Sequence, residues 1–172
     1  MNPIDPRTQE GMREVTLFFV EFCRLRLETS GSFDQHFALY IGGRTEEFGL
    51  SEWAAKSSLS RIFEEAHKEA HRAHAEALFL MLRRPLASMN RRRVEVWDSV
   101  FVVTQTKTRT AIAMLPFRTT DSGLEFEELQ LGECETESFA TPDIIFGKLG
   151  DVANAAMLDD MRKGRGPEAT SN

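Results

Sequence analysis

Residues 64–77 read EEAHKEAHRAHAEA and hold three of the chain's four histidines, His67, His71 and His74. On a helix each residue advances about 100°, which puts these imidazoles within roughly 60° of one another, with Glu64 one turn before His67 on the same side. The His-x3-His spacing lets two rings reach one divalent ion, as in helical zinc sites. A metal-dependent hydrolase would add a third protein ligand and an open position. His74 lies almost two turns from His67 and would join only with strained rotamers, so Glu64 or His36 is the better third ligand. The candidate metal set is therefore His67, His71 and Glu64. A plainer reading outweighs it. The histidines border an apolar stripe of Phe63, Ala66, Ala70 and Ala77, where half-wet rings commonly sit, and they alternate with Lys68, Glu69 and Arg72. Lys68 follows His67, so there is no HExxH. On that reading no cofactor is expected.

A second constellation is electrostatic. RRPLASMNRRR carries Arg83, Arg84, Arg91, Arg92 and Arg93 with no acid, and Lys107, Arg109 and Arg118 continue the basic strip. DSGLEFEELQLGECETES then carries seven acids and no base. With Trp97 or Phe101 for stacking, the arginines could grip nucleic-acid phosphates. The formal net charge of -6 disfavours a whole-molecule attraction of that kind. Opposite charges on adjacent strands would instead neutralise each other across one sheet, each pair contributing about 0.2–1 kcal/mol. A third reading sets one molecule's basic loop against another's acidic strand, as in a self-complementary dimer.

Other reactive groups are few. Asp98 stands among apolar neighbours and is expected to pair with an arginine such as Arg109. Cys23 sits in an apolar run and reads as a small buried hydrophobe. Cys134 lies between Glu133 and Glu135, which raise a thiol pKa. GxSxG, P-loop and GxGxxG motifs and a Cys/His pair are absent. The balance leans away from an enzyme.

The elements that would position these groups follow from periodicity. A first helix is expected from Pro6, capped by Asp5, to Ser30-Gly31, with Met12, Val15, Phe19, Phe22 and Arg26 as its stripe and Phe18 and Leu25 beside it. Phe37, Leu39 and Ile41 alternate into a hairpin that turns at Gly42-Gly43 and returns over Arg44 to Phe48. The longest helix is expected from Ser51 to a stop at Pro85, with Leu59, Phe63, Ala66, Ala70, Ala77 and Met81 on one stripe; serines 57, 58 and 60 mark where it could divide. Three strands follow. The middle one is apolar on both parities, so it is central and covered on both faces. The last changes parity between Phe126 and Leu129, which predicts a bulge at Glu127-Glu128. Thr141 and Pro142 open a closing helix with Ile145, Leu149, Val152 and Ala156 inward and Gly164 as its stop.

The chain of 172 residues is 41% hydrophobic and 28% charged, the balance of a globular protein. Residues 1–6 read as an N-terminal arm, 7–162 as a single domain and 163–172 as a disordered tail. The predicted fold is α+β: an antiparallel sheet of about five strands packed with helices, in the order α-ββ-α-βββ-α. That order is similar to roadblock- and profilin-like domains, an analogy of fold alone. A basic leader and a long apolar run are both missing, which points to the cytoplasm and away from a membrane. The functional expectation is a non-enzymatic protein-interaction or regulatory module, self-associating as a homodimer through helix faces and sheet edges. The strand at Arg44 and the first strand after Arg93 are the candidate edges.

Overall fold

The computed structural model describes residues 4–50, 56–90 and 93–149. Helix α1 spans Gln9–Ser30. Its cap is Thr8 rather than Asp5: Thr8 Oγ1 accepts the Gly11 N–H at 3.0 Å, and Asp5 belongs to the preceding turn, its carbonyl accepting the Thr8 N–H. Gly11 is what admits that turn. A Cβ there would lie 1.9 Å from the Asp5 carbonyl oxygen. Gly31 ends the helix in the left-handed region, with its N–H on the Leu27 carbonyl.

Strands β1 (His36–Ile41) and β2 (Arg44–Gly49) form the expected hairpin. Gly42 and Gly43 both have positive φ, 56° and 83°, which suits the twist of a two-residue turn. The turn is held from outside: one Glu76 carboxylate oxygen accepts the Gly42 N–H and the other an Arg7 N–H.

Helix α2 spans Leu59–Arg72 and stops twelve residues short of the sequence expectation. Ala73 caps it and His74 turns the chain with φ 53°. The proposed Ser51 cap lies outside the described residues. Residues Ala77–Asn90, which include the last quarter of the expected long helix, are strand β3. The run ALFLML explains the correction. Ala77, Phe79 and Met81 face one side of the sheet and Leu78, Leu80 and Leu82 the other, so a strand buries all six, whereas a helix would bury only one stripe. Pro85 does not stop the element either. β1 pairs with β3 only as far as Met81, and the Gln35 side chain takes the next outward N–H, that of Arg83, at 3.1 Å. Pro85 comes two residues on, where its missing donor faces the open side of the strand.

β4 (Arg93–Thr106) pairs with β3 along its whole length, and β5 (Arg109–Thr120) follows after a tight turn at 107–108. β6 (Gly123–Phe126) and β7 (Gln130–Glu135) share the outer edge of β5. Phe126 is opposite Phe117 and Gln130 opposite Met114, so four steps on one strand match three on the other. This is the extra residue inferred from the parity change. The sheet is antiparallel throughout and has seven strands rather than about five, ordered β2-β1-β3-β4-β5-β6 with β7 beside β5. β2 is an edge, as expected. The first strand after Arg93 is not, because β4 lies between β3 and β5.

Both faces of the sheet are covered. α1 packs on one through Val20, Cys23 and Leu27, against Phe79, Val102, Ala113 and Phe117. α2 packs on the other through Ile62, Phe63, Ala66 and Ala70, joined there by Ile145 of α3 (142–149), which starts after Thr141 as predicted. β5 is apolar on both parities and covered on both sides. The continuation of α3 through Val152 and Ala156, and the tail at 163–172, lie outside the described residues. Among the described residues no helix is long and apolar enough to cross a membrane.

Candidate functional site

The histidine helix resolves into one half-buried anchor and exposed neighbours. The ring of His67 leans on Phe63 and Phe139, and its Nε2 is 2.8 Å from Gln105 Oε1. Gln105 is fully buried on β4, and its amide N–H groups donate to the Ala140 carbonyl at 2.8 Å and to Thr110 Oγ1 at 3.4 Å. A carbonyl can only accept, so Gln105 must turn its own oxygen toward His67, and His67 carries its proton on Nε2. Burial holds the His67 pKa below its ordinary value; the Gln105 bond opposes that shift and the nearby His71 adds to it.

The other proposed ligands go elsewhere. His71 touches Phe139 edge-on from the exposed side of α2, and His74 is in the turn beyond the helix. Glu64 is exposed and bound to Arg61 at 3.1 Å. His36 lies on the opposite, α1-facing side of the sheet, in step with Ala38, its Nδ1 2.7 Å from the Asp34 carbonyl oxygen. Among the described residues no three His, Cys, Asp or Glu side chains gather where they could hold a metal ion.

The basic patch is likewise divided. Arg83 and Arg84 are neighbours on a strand and point to opposite faces. Arg83 binds Asp98 Oδ2 through Nε and Nη2 (3.1 and 2.6 Å) and lies 5.3 Å over the Phe117 ring. Asp98 thus has its arginine, but it is Arg83 and not Arg109. Arg84 is half-buried on the α2 side; one Nη donates to the Ser57 carbonyl, Nε has no partner among the described residues, and burial lowers its pKa. Arg118 stacks 4.5 Å over the buried Trp97. Arg93 opens β4 opposite Asn90, and Arg91 and Arg92 lie outside the described residues.

Two acid–base pairs meet in strand register, Arg118 with Glu125 and Arg109 with Glu135, at 2.7 and 3.4 Å. These basic and acidic groups therefore offset each other across the sheet. Cys23 is fully buried, which pushes its thiol up to about 12. The Cys134 thiol is also raised, but by burial rather than by the flanking glutamates, with Lys148 acting in the other direction.

One surface was not found from the sequence. The buried side of α1 is Met12, Thr16, Val20, Cys23 and Leu27, so the expected stripe is rotated. Phe18 is 59% exposed, Leu25 49% and Phe22 37%. These three lie within roughly 60° of one another, on the crest of the helix away from the sheet. The signal was available: Met12, Thr16, Val20, Cys23 and Leu27 also repeat at helical spacing and contain no charge, whereas the chosen stripe had to accept Arg26.

Two depressions run beside the crest, between α1 and the β1–β2 hairpin. One, of about 210 Å³, is lined by Ile4, Val15, Phe18, Phe19, Tyr40 and Phe79. The larger, about 580 Å³, includes Phe22, Arg26, Phe33, His36, Glu47 and Phe48. The smaller depression continues the apolar crest, whereas the larger mixes Phe22, Phe33 and Phe48 with Ser30, Ser32, Asp34 and the charged groups of Arg26 and Glu47. Scans against protein-family models, curated proteins and solved structures each found no match.

Proposed function

We propose that this chain is a protein-interaction module that self-associates through the outer face of α1. The observation that supports this is the exposure of Phe18, Phe22 and Leu25 together, at i, i+4 and i+7, on a helix whose other side is fully packed. A contiguous apolar patch of this kind marks an interaction surface more often than a scatter of single hydrophobes does. Val15, Phe19, Val20, Cys23 and Leu27 of the same helix join the apolar cluster on the sheet, and among the described residues Phe18, Phe22 and Leu25 do not.

The strength of the contact follows from area. At about 200 Å² for a full side chain, the three together expose roughly 300 Å² per chain, or about 600 Å² in a symmetric pair. At about 25 cal/mol per Å², the gross gain is about 15 kcal/mol, and association costs consume about 4–15 of it. The pair is therefore weak and concentration-dependent. Edge-to-edge sheet extension has less support, because β2 is short and three of its first four residues, Arg44, Glu46 and Glu47, are charged and exposed.

Size-exclusion chromatography with light scattering tests the reading. The wild-type mass should rise above that of one 19.5 kDa chain as concentration increases, and Phe18→Asp with Leu25→Asp should abolish the rise. A wild-type chain that stays monomeric at every concentration overturns it.

A further inference from the structure

We propose that the two copies join with their α1 helices parallel, related by a two-fold axis along the helices, so that Glu21 of each chain meets Arg26 of the other. This rests on the self-association proposed above and adds its geometry.

The crest has the spacing of a two-helix seam. Phe18, Phe22 and Leu25 are separated by four and three residues, the alternation that keeps one helix in contact with another, and half-buried Val15, three residues before Phe18, packs toward the sheet at their border. The flanks of this seam differ. Along one side Glu14, Glu21 and Glu28 recur every seven residues, all exposed. On the other side lie Phe19, which is packed against Phe79 at 5.2 Å, and the exposed Arg26. The Arg26 guanidinium lies 5.5 Å over the Phe22 ring, at the border of the seam, and has no ion pair among the described residues. Glu14 has none either. Glu21 and Glu28 share Arg24, which stands outside them, away from the crest.

Symmetry then decides the orientation. A two-fold axis perpendicular to the helices makes them antiparallel and keeps each flank on its own side. The glutamate row would face its own copy, three like charges against three. A two-fold axis along the helices makes them parallel and brings each flank onto the other's opposite flank. Glu21 then faces the partner's Arg26 five residues further on, and the contact occurs twice. Charges beside the apolar seam set orientation in this way in paired helices generally.

Charge reversal separates the orientations from each other and from the failure of self-association itself. Sedimentation equilibrium gives the dimer dissociation constant for the wild type, Glu21→Arg, Arg26→Glu and the double variant. Both positions are exposed, so each variant should keep the wild-type circular dichroism, and loss of the Glu21–Arg24 pair should lower stability by no more than about 1 kcal/mol. In the parallel pair Glu21→Arg places two arginines together at two symmetry-related points and should weaken the dimer about tenfold. Arg26→Glu should do the same, the double variant should recover most of the loss, and an equimolar mixture of the single variants should associate more tightly than either alone. Tightening by Glu21→Arg would overturn the parallel arrangement while leaving self-association standing, because an arginine in the glutamate row is favourable only in the antiparallel pair. Equal affinities in all four proteins would overturn the Glu21–Arg26 contact. A wild type that never dimerises removes both the geometry and the reading beneath it.

Discussion

Replacing Gln105 by leucine removes a side chain that, from within the sheet, hydrogen-bonds both α2 and the loop before α3. Gln105 accepts from His67 Nε2 at 2.8 Å and donates to the Ala140 carbonyl at 2.8 Å, and Ala140 is itself buried. Leucine matches the volume and makes neither bond. The His67 N–H and the Ala140 carbonyl would be left without partners, each costing about 1–3 kcal/mol. The expected loss is therefore between about 2 and 5 kcal/mol, allowing some recovery from apolar packing against Phe139. Urea unfolding followed by circular dichroism measures it, with an unchanged m-value confirming that the two end states are comparable. The loss from His67→Phe should not add to that from Gln105→Leu, because both break the same bond; the coupling should be about 1 kcal/mol or more. A Gln105→Leu protein within about 1 kcal/mol of the wild type, or additive losses in the double variant, would refute this account of the network.

Two further outcomes follow from single groups. Burial keeps the folded-state pKa of His67 below its ordinary value, so the unfolded chain takes up a proton near pH 6.5 while the folded chain resists it. The stabilising contribution is complete above that pH and is lost as pH falls toward the lowered pKa. Denaturant unfolding between pH 7 and pH 5 should show stability declining, and His67→Gln should flatten the decline; the lowered carboxylates Glu21, Glu69 and Glu125 titrate below this window. Gly11→Ala puts a methyl group 1.9 Å from the Asp5 carbonyl oxygen, so the turn at residues 5–8 must move. Calorimetry should show a loss of about 1–3 kcal/mol, while Gly49→Ala, with open space around its Cβ, should change little.

The parts of the fold legible in the sequence were those with one dominant periodicity. The Gly42-Gly43 hairpin, the two-sided apolar pattern of β5 and the extra residue between Phe126 and Gln130 each left a local signature that tertiary context did not override. The run from Ala77 to Leu82 did not, because five of the six residues in ALFLML are good helix formers and only four residues separate it from α2. Only the burial of both parities identifies it as a strand, the same signal that identified β5. The rotation of α1 was hidden for a different reason. Phenylalanines outweigh threonine and cysteine in any estimate of which side is inward, and here the larger aromatics face out. Pairing between distant residues, such as Arg83 with Asp98 or His67 with Gln105, depends on strand order and helix placement, neither of which spacing along the chain encodes.

Self-association through the crest of α1 is tested most directly by hydroxyl-radical footprinting across a dilution series. Oxidation of Phe18, Phe22 and Leu25 should fall as the protein is concentrated. Ile144 and Phe146, 50% and 45% exposed on α3, serve as an internal reference and should react equally throughout. Crest residues that label to the same extent at every concentration, or protection that appears at Ile144 and Phe146 instead, would contradict the assignment.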